Sequence, residues 1–223
     1  KTYGAQLKTK FSPDVNTDFE LGLKFEKENL RDFTNEWQLV DSLGYSTPRT
    51  YVNPGTLDPS QLRLRYSISG ANHIEPTRLS GYMQYSKKFY WGDNRVFINA
   101  GVRAAHWDFN DETIISPRAQ IAVKPNWDMD MLFKVSGGVY YQAPFYKEIK
   151  DVDGNFNPNI KSQRSMQIIL ANDYEFQMAD RPFKLTTELY YKKMDLLITY
   201  YLDNVRIRYS VEINSEVYDY GFN

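Results

Sequence analysis

The stretch VFINAGVRAA, residues 96–105, decides the fold because an apolar side chain recurs at every second residue. Val96, Ile98 and Val102 belong to one alternating set, whereas Asn99 and Arg103 belong to the other. A helix would instead need apolar residues at spacings of three and four. Successive side chains of a strand point to opposite faces. The stretch therefore predicts a β-strand with one apolar face.

The same period of two recurs along most of the chain. The alternating segments are residues 3–11, 19–26, 77–90, 96–105, 116–124, 131–142, 166–176, 184–192 and 205–213. Breaks rich in Gly, Pro, Asn and Asp separate them, as is usual between strands. We therefore predict an all-β chain.

The connections between these segments differ in length. Short breaks lie at residues 12–16, 91–94, 125–128 and 178–182, and longer connections at residues 31–76, 109–115, 143–163 and 197–212. Transmembrane barrels join their strands by short periplasmic turns and longer extracellular loops. We predict an antiparallel up-and-down transmembrane β-barrel, here a partial barrel of about eight or nine strands. Residues 31–76 would form a long extracellular loop, with a short hairpin arm at residues 63–69.

Alternation also predicts which residues share a face, because a register error of one residue would exchange the two sides. One face is expected to carry Val96, Ile98, Ala100, Val102, Ile121, Val123, Phe133 and Val135. The other is expected to carry Arg103, Arg118, Gln120 and Lys134.

Composition excludes several other classes. Charged residues make up 25% of the chain and mean hydropathy is -0.59. With no apolar run of about 18 residues, a membrane protein built from helices is excluded. A barrel strand escapes that test because only alternate residues touch lipid. The net charge of -1 gives no electrostatic sign of nucleic-acid binding, and the absence of cysteine excludes disulfides and thiol nucleophiles.

Aromatic residues, 16% of the chain, cluster near the predicted strand ends. Beside the short turns lie Phe11, Phe89, Tyr90, Trp91, Trp127, Phe176 and Phe183. At the opposite ends lie Trp107, Phe109, Tyr140, Tyr141, Tyr190 and Tyr191. Two such bands are typical of the girdles that hold a barrel at lipid headgroups. The strands of a soluble β-sandwich also alternate apolar and polar residues. A soluble or surface-exposed all-β domain that binds glycans is therefore the main alternative.

An ordered series of short motifs resembles the barrel region of TonB-dependent outer-membrane receptors. The series contains Gly101-Val102-Arg103, Trp107, Ile115-Ser116-Pro117-Arg118, Val123-Lys124-Pro125, and residues 138–144, 157–163 and 188–195. Residues 203–209, DNVRIRY, resemble the subset that carries a carboxypeptidase-like regulatory domain before the plug. The resemblance covers residues 77–223 and rests on the order of the motifs rather than on any single one.

The resemblance implies a receptor in the outer membrane of a Gram-negative bacterium. Such a receptor takes up a scarce nutrient, such as a metal chelate, glycan, peptide or vitamin. Its barrel has about 22 strands around a plugged lumen, so residues 1–223 are expected to be a fragment of the barrel domain without the plug, the TonB box and the remaining strands. Expected partners are outer-membrane lipid and, through the plug, the TonB complex; a surface lipoprotein is left open. A structural barrel without transport is a second alternative.

Two groups of residues are candidates for contact with a ligand. The resemblance implies basic residues that face the lumen, and these are Arg103, Arg118 and Lys134. The long loop supplies aromatic side chains, which could stack on a sugar or equally fix the loop itself. They are Trp37, Tyr45, Tyr51 and Tyr66.

No catalytic, cofactor or metal site is predicted. The chain has no Gly-x-Ser-x-Gly motif, and its two histidines lack a partner at metal-ligand spacing. Residues 151–157, DVDGNFN, place oxygen ligands at alternate positions. However, an EF-hand loop needs Gly at the sixth position and Glu at the twelfth, where this stretch has Phe156 and Ser162. A loop turn is expected there, with a weak external calcium site at Asp151 and Asp153 as the alternative.

Overall fold

The protein is all-β, with antiparallel strands and no helix in the part of the chain that the computed structural model describes, residues 1–40, 63–151, 153–203, 206–209 and 215–222. The strands are β1 (Thr2–Asp14), β2 (Thr17–Glu28), β3 (Leu30–Val40), β4 (Arg63–Ile74), β5 (Thr77–Trp91), β6 (Asn94–Trp107), β7 (Glu112–Lys124), β8 (Asp130–Gln142), β9 (Gln163–Met178), β10 (Arg181–Leu197), β11 (Tyr200–Asp203), β12 (Arg206–Tyr209) and β13 (Ser215–Phe222). The all-β prediction is confirmed.

Nine of these strands form one antiparallel sheet in the order β1-β2-β5-β6-β7-β8-β9-β10-β13. Each strand pairs with the next one along this order, as in an up-and-down meander. Within the described ranges β1 and β13 are the two edges, so the sheet is open and does not close into a barrel. The remaining strands form the hairpins β3–β4 and β11–β12.

The predicted short turns all lie at one end of this sheet. They join β1 to β2, β5 to β6, β7 to β8 and β9 to β10. In the β9–β10 turn both central residues, Ala179 and Asp180, have positive φ, 50° and 57°. Two positive φ angles give the backbone twist that matches a two-residue hairpin. We call the end of the sheet that carries these short turns the turn end, and the opposite end of the strands the loop end.

The predicted connection at residues 109–115 is wrong in detail. Residues 109–115 were expected to be a long connection, but β7 begins at Glu112 and only residues 108–111 join it to β6. The chain reverses there with Asp111 at a φ of 47°. The ladder runs up to Trp107 opposite Glu112, so the alternation of residues 112–115 belongs to the strand.

The predicted ninth strand, residues 205–213, is described only at residues 206–209, which form β12; residues 205 and 210–213 lie outside the described residues. Residues 205–213 were expected to join the sheet, but β12 pairs with β11 in a hairpin of its own. The strand that pairs with β10 is β13, with Tyr191 opposite Tyr220. The alternation of residues 206–209 is therefore satisfied by a local hairpin rather than by the main sheet.

The region 31–76 contains a long hairpin instead of an irregular loop. β3 and β4 pair from Leu30 opposite Ile74 outward, and along the chain they follow β2 and precede β5. Asn29 Nδ2 donates to Glu75 Oε1 at 2.5 Å where the ladder is interrupted. The expected arm at residues 63–69 is thus part of β4, and residues 41–62 lie outside the described residues.

A small hydrophobic cluster lies at the loop end. Its buried members are Trp107, Ile149 and Ile160, packed against Phe109, Tyr146, Phe156 and Ile198. Most of these residues come from the connection 143–162 between β8 and β9. We call this group the loop-end cluster.

Candidate functional site

The two faces of the sheet differ in chemistry over most of their area, although the register also places Lys87, Arg164, Lys193 and Asp195 on the apolar one. Residues opposite each other on neighbouring strands lie on the same face, so the register assigns every side chain. The apolar face carries Leu7, Leu21, Leu23, Phe25, Leu79, Met83, Val96, Ile98, Val102, Ile121, Val123, Phe133, Val135, Ile168, Leu170, Leu185 and Leu189. The polar face carries Lys8, Lys10, Glu20, Lys24, Gln84, Asn99, Arg103, Arg118, Gln120, Lys134, Gln167, Asp173, Lys184 and Glu188. The predicted division of residues between the faces is confirmed.

The apolar face is the more exposed of the two. Leu23 is 60% exposed, Leu185 56% and Ile121 49%, and Val96 at 4% is an exception. On the polar face, by contrast, Gly22 and Ala122 are buried. Substantial contacts between the described strands run only along the hydrogen-bonded ladders, so none of these strands forms a second layer over the apolar face. Contiguous exposed apolar area of this extent marks a surface made for lipid or a partner.

An aromatic band crosses the apolar face at the turn end. The ring of Phe19 lies between those of Phe11 and Tyr85, at centroid distances of 6.5 and 5.0 Å. Farther along the sheet, Phe176 stacks on Phe183 at 5.7 Å. These pairs come from neighbouring strands and form part of the band that the sequence predicted beside the short turns.

The second predicted aromatic band, at the loop end, is wrong for three of its members, which lie on the polar face. Trp107 lies opposite Arg78 and Glu112, which puts it on the polar face, and it is 5% exposed within the loop-end cluster. The register also places Tyr140 and Tyr190 on the polar face, opposite Ser165 and Ile169. A position near a strand end fixes the height of an aromatic residue but not its face, which depends on register.

Basic residues dominate the polar face in the middle of the sheet. On β5 to β8 they are Arg78, Lys88, Arg95, Arg103, Arg118, Lys124 and Lys134. The acidic residues of the same strands on this face are Glu112 and Asp130. Both of these carboxylates are engaged, Asp130 by Lys124 at 2.5 Å and Glu112 by Ser162. The centre of the polar face is therefore positive although the chain is nearly neutral.

Arg118 lies at the point where β7 and β8 separate. Their ladder ends with Arg118 opposite Gly138, and residues 112–117 form no pairs with residues 139–142. Pro117 precedes this point and has no N–H to donate to a ladder. On its other side Arg118 faces Gly101. The Arg118 side chain is exposed and has a residue without a side chain on each neighbouring strand.

Arg103 is the diagonal neighbour of Arg118. Arg103 lies opposite Ser116 and Arg118 opposite Gly101, so the two Arg residues are offset by two positions across β6 and β7. Diagonal neighbours are about 7–8 Å apart, within reach of long side chains. No ion pair formed by the described residues includes either guanidinium. We call these two residues the arginine pair.

Lys134, the third predicted residue, belongs to a separate network. Its Nζ lies 3.0 Å from Asp173 Oδ2, and Lys184 Nζ approaches the same oxygen at 3.1 Å. The hydroxyl of Thr186 donates to Asp173 Oδ1 at 3.1 Å. The carboxylate is buried and its charge is neutralised by two ammonium groups. Lys134 therefore shares the polar face with the arginine pair but already has a partner.

Hydrogen bonds hold the connection 143–162 over the loop end of the polar face. Ser162 donates its N–H and hydroxyl to the Glu112 carboxylate, and Asn110 Nδ2 donates to the carbonyl of Ile160 at 2.9 Å. The guanidinium of Arg78 lies 4.1 Å from the Trp107 ring centroid, a cation–π contact. Sequence reasoning missed this packing because it joins residues about 50 positions apart; the only local signal was the aromatic density.

The connection also contacts the β3–β4 hairpin. Lys150 Nζ lies 2.6 Å from Asp32 Oδ2, and Asn72 Nδ2 donates to the carbonyl of Gly154 at 2.8 Å. Tyr146 donates its hydroxyl to Glu28. These contacts make the loop end an ordered assembly of two connections.

The predicted aromatic contacts are only partly described. Trp37 is exposed, at 61%, in β3 and lies opposite Ser67, whereas Tyr66 occupies the neighbouring register position opposite Gln38. Tyr45 and Tyr51 lie outside the described residues. Stacking of these residues on a ligand stays a prediction.

The loop at residues 151–157 is organised by its own hydrogen bonds. Asp151 Oδ1 accepts the backbone N–H groups of Asp153 and Asn155 at 3.0 and 2.8 Å, and Gly154 has a φ of 87°. This arrangement is a side-chain-stabilised turn. Among the described residues no group of three or more His, Cys, Asp or Glu could hold a metal ion.

Comparison with protein-family models and with curated protein sequences finds no match. No helix long and apolar enough to cross a membrane occurs in the part of the chain that the structure describes.

Proposed function

We propose that this chain forms part of the wall of a membrane-embedded β-barrel in the outer membrane of a Gram-negative bacterium, with the apolar face against lipid. The observation that carries the proposal is the exposure of the apolar face along β1 to β10, opposite a charged face. A water-soluble sheet would cover its apolar face with a second layer. Lipid provides that cover without protein.

We further propose that the barrel belongs to a TonB-dependent receptor that takes up a scarce nutrient. The order of motifs along residues 77–223 supports this function. The polar face would line the lumen, and the β3–β4 hairpin and the connection 143–162 would lie outside the cell. In this proposal the chain transports and does not catalyse.

Fractionation of cells that express the intact protein tests the membrane proposal. We expect the protein in outer-membrane fractions, soluble only in detergent, with a folded form that migrates differently from the boiled form on gels. A protein that stays in solution without detergent would instead support the soluble glycan-binding alternative.

The intact sequence separates transport from a purely structural barrel. We expect a plug domain and a TonB box on the N-terminal side of these residues, and cross-linking of the intact protein to TonB through that box. A barrel that has neither would support the structural alternative.

A further inference from the structure

We propose that the arginine pair, Arg103 and Arg118, is a binding site for an oxyanion, either the carboxylate or the phosphate group of a solute at the polar face. This inference rests on the proposed function, because a lumen wall is what brings solutes to this face. It adds a ligand class, anionic solutes, that the resemblance does not specify.

The cations of the polar face differ in whether they have a carboxylate partner. Lys124 and Lys134 have carboxylate partners at 2.5 and 3.0 Å, whereas the described residues give Arg103 and Arg118 none. Two like charges at diagonal positions repel each other. An oxyanion between the two guanidinium groups would remove that repulsion, and planar guanidinium donors match carboxylate and phosphate oxygens.

The residues that neighbour the arginine pair across the strands do not crowd it. Gly101 and Gly138 flank Arg118 across the strands, and a Cβ on Gly138 would lie 2.9 Å from Arg118 Cβ. A Cβ on Gly22 would meet Cε1 of Tyr82, the residue opposite Arg103, at 2.1 Å. The residues opposite Arg118 therefore add no side chain beside it, and the ring of Tyr82 extends over Gly22, on the side away from Arg103.

The side chains around the arginine pair have a chemistry that suits an oxyanion. Neutral groups that can donate hydrogen bonds lie at the adjacent register positions, and they are Gln84, Asn99, Ser116, Gln120, Ser136 and Gln167. Amide and hydroxyl donors can complete the hydrogen bonds of an oxyanion, and a carboxylate at these positions would oppose it.

Titration calorimetry on the intact protein in detergent tests the site, with inorganic phosphate and citrate as separate probes. We expect the wild type to bind at least one probe, less tightly as salt is raised. The identity of the probe that binds distinguishes a phosphate from a carboxylate ligand. Arg118→Gln and Arg103→Gln should each weaken binding about tenfold or more, since a charged hydrogen bond is lost.

Lys8→Gln is the matched control, because Lys8 is an exposed cation of the polar face on edge strand β1. It should change binding less than about twofold. Equal weakening by Lys8→Gln, or retention of affinity in Arg118→Gln, would show that the general charge and not the arginine pair attracts the anion, and would overturn the proposal.

The test also covers a variant that does not fold and a wild type that binds neither probe. If Arg118→Gln does not fold, Arg103→Gln and Arg118→Lys carry the test, and Arg118→Lys should weaken binding because it keeps the charge without the planar donors. If neither probe binds the wild type, the proposal is wrong; release of a plug domain by Arg118→Gln would then identify an acidic protein segment as the occupant. Binding in detergent does not require lipid contact, so it can fail or succeed independently of the membrane proposal.

Discussion

Neighbouring residues of one strand have opposite roles in this sheet, and Ile98 and Asn99 illustrate the difference. Ile98 lies on the apolar face opposite Ile121, and Asn99 on the polar face opposite Gln120. If the apolar face meets lipid, Ile98→Arg should cost about 2–4 kcal/mol of folding free energy near the membrane midplane. Asn99→Arg should cost much less folding free energy, because the new side chain would lie on the polar face. Refolding titrations of the intact protein in lipid vesicles measure both, and a negligible loss for Ile98→Arg would mean that this face meets water or protein.

Gly138 is a second residue with a specific steric role. An added Cβ would lie 2.9 Å from Arg118 Cβ and 3.0 Å from the carbonyl oxygen of Pro117. These neighbours lie on or next to the backbone and cannot rotate away, so Gly138→Ala should cost about 1–3 kcal/mol. Gly137→Ala, whose closest contact would be 3.2 Å from the carbonyl oxygen of Gln167, should cost less. The same titrations test the order, and equal losses would contradict it.

At the residue scale the sequence predicted which side chains share a face, because that depends only on the period of two. It identified Arg103, Arg118 and Lys134 as a group, but not the division between the arginine pair and the Lys134–Asp173 network. That division depends on which residues face each other across strands. Register between strands is set by turns and bulges, and the local pattern does not contain it.

Among the structural elements, the connection 143–162 has its own hydrophobic packing. Ile149 is fully buried in the loop-end cluster, whereas Phe145 of the same connection is 56% exposed. Ile149→Ala should therefore remove about 2–5 kcal/mol of local stability. In Ile149→Ala we expect faster proteolysis within residues 143–162 while the sheet stays resistant. The control variant Phe145→Ala should be cleaved at the wild-type rate. Limited proteolysis with mass spectrometry measures this, and unchanged cleavage of Ile149→Ala would mean that the cluster does not hold the connection in place.

Strands of the main sheet were predictable where alternate residues form an apolar run, as from Val96 to Ala104 in β6. The β3–β4 hairpin was predicted only at residues 63–69, since sequences such as LRDFTNEWQLV place polar and apolar residues on both faces. In that hairpin the cross-strand hydrogen bonds define the element, with no apolar face to reveal it. The described part of the predicted strand at 205–213, residues 206–209, is a strand but pairs with β11, because alternation is equally compatible with a short local hairpin.

For the whole molecule, the sequence predicted the meander and the common end of its short turns. It could not predict the loop-end cluster, which joins Trp107 of β6 with Ile149 and Ile160, residues of a connection 40 or more positions later. The sheet is open within the described ranges, so closure into a barrel stays part of the proposal. The central claim is that the apolar face contacts lipid.

Site-directed spin labelling tests that claim most directly, and the chain suits it because it contains no cysteine. Ile121→Cys and Gln120→Cys place a nitroxide at adjacent positions on the apolar and polar faces of β7. With the intact protein in lipid vesicles, we expect the label at residue 121 to collide with membrane-dissolved oxygen and to be shielded from a water-soluble nickel complex. The label at residue 120 should show the reverse. Ready access of the nickel complex to residue 121 would contradict the account, because the apolar face would then meet water.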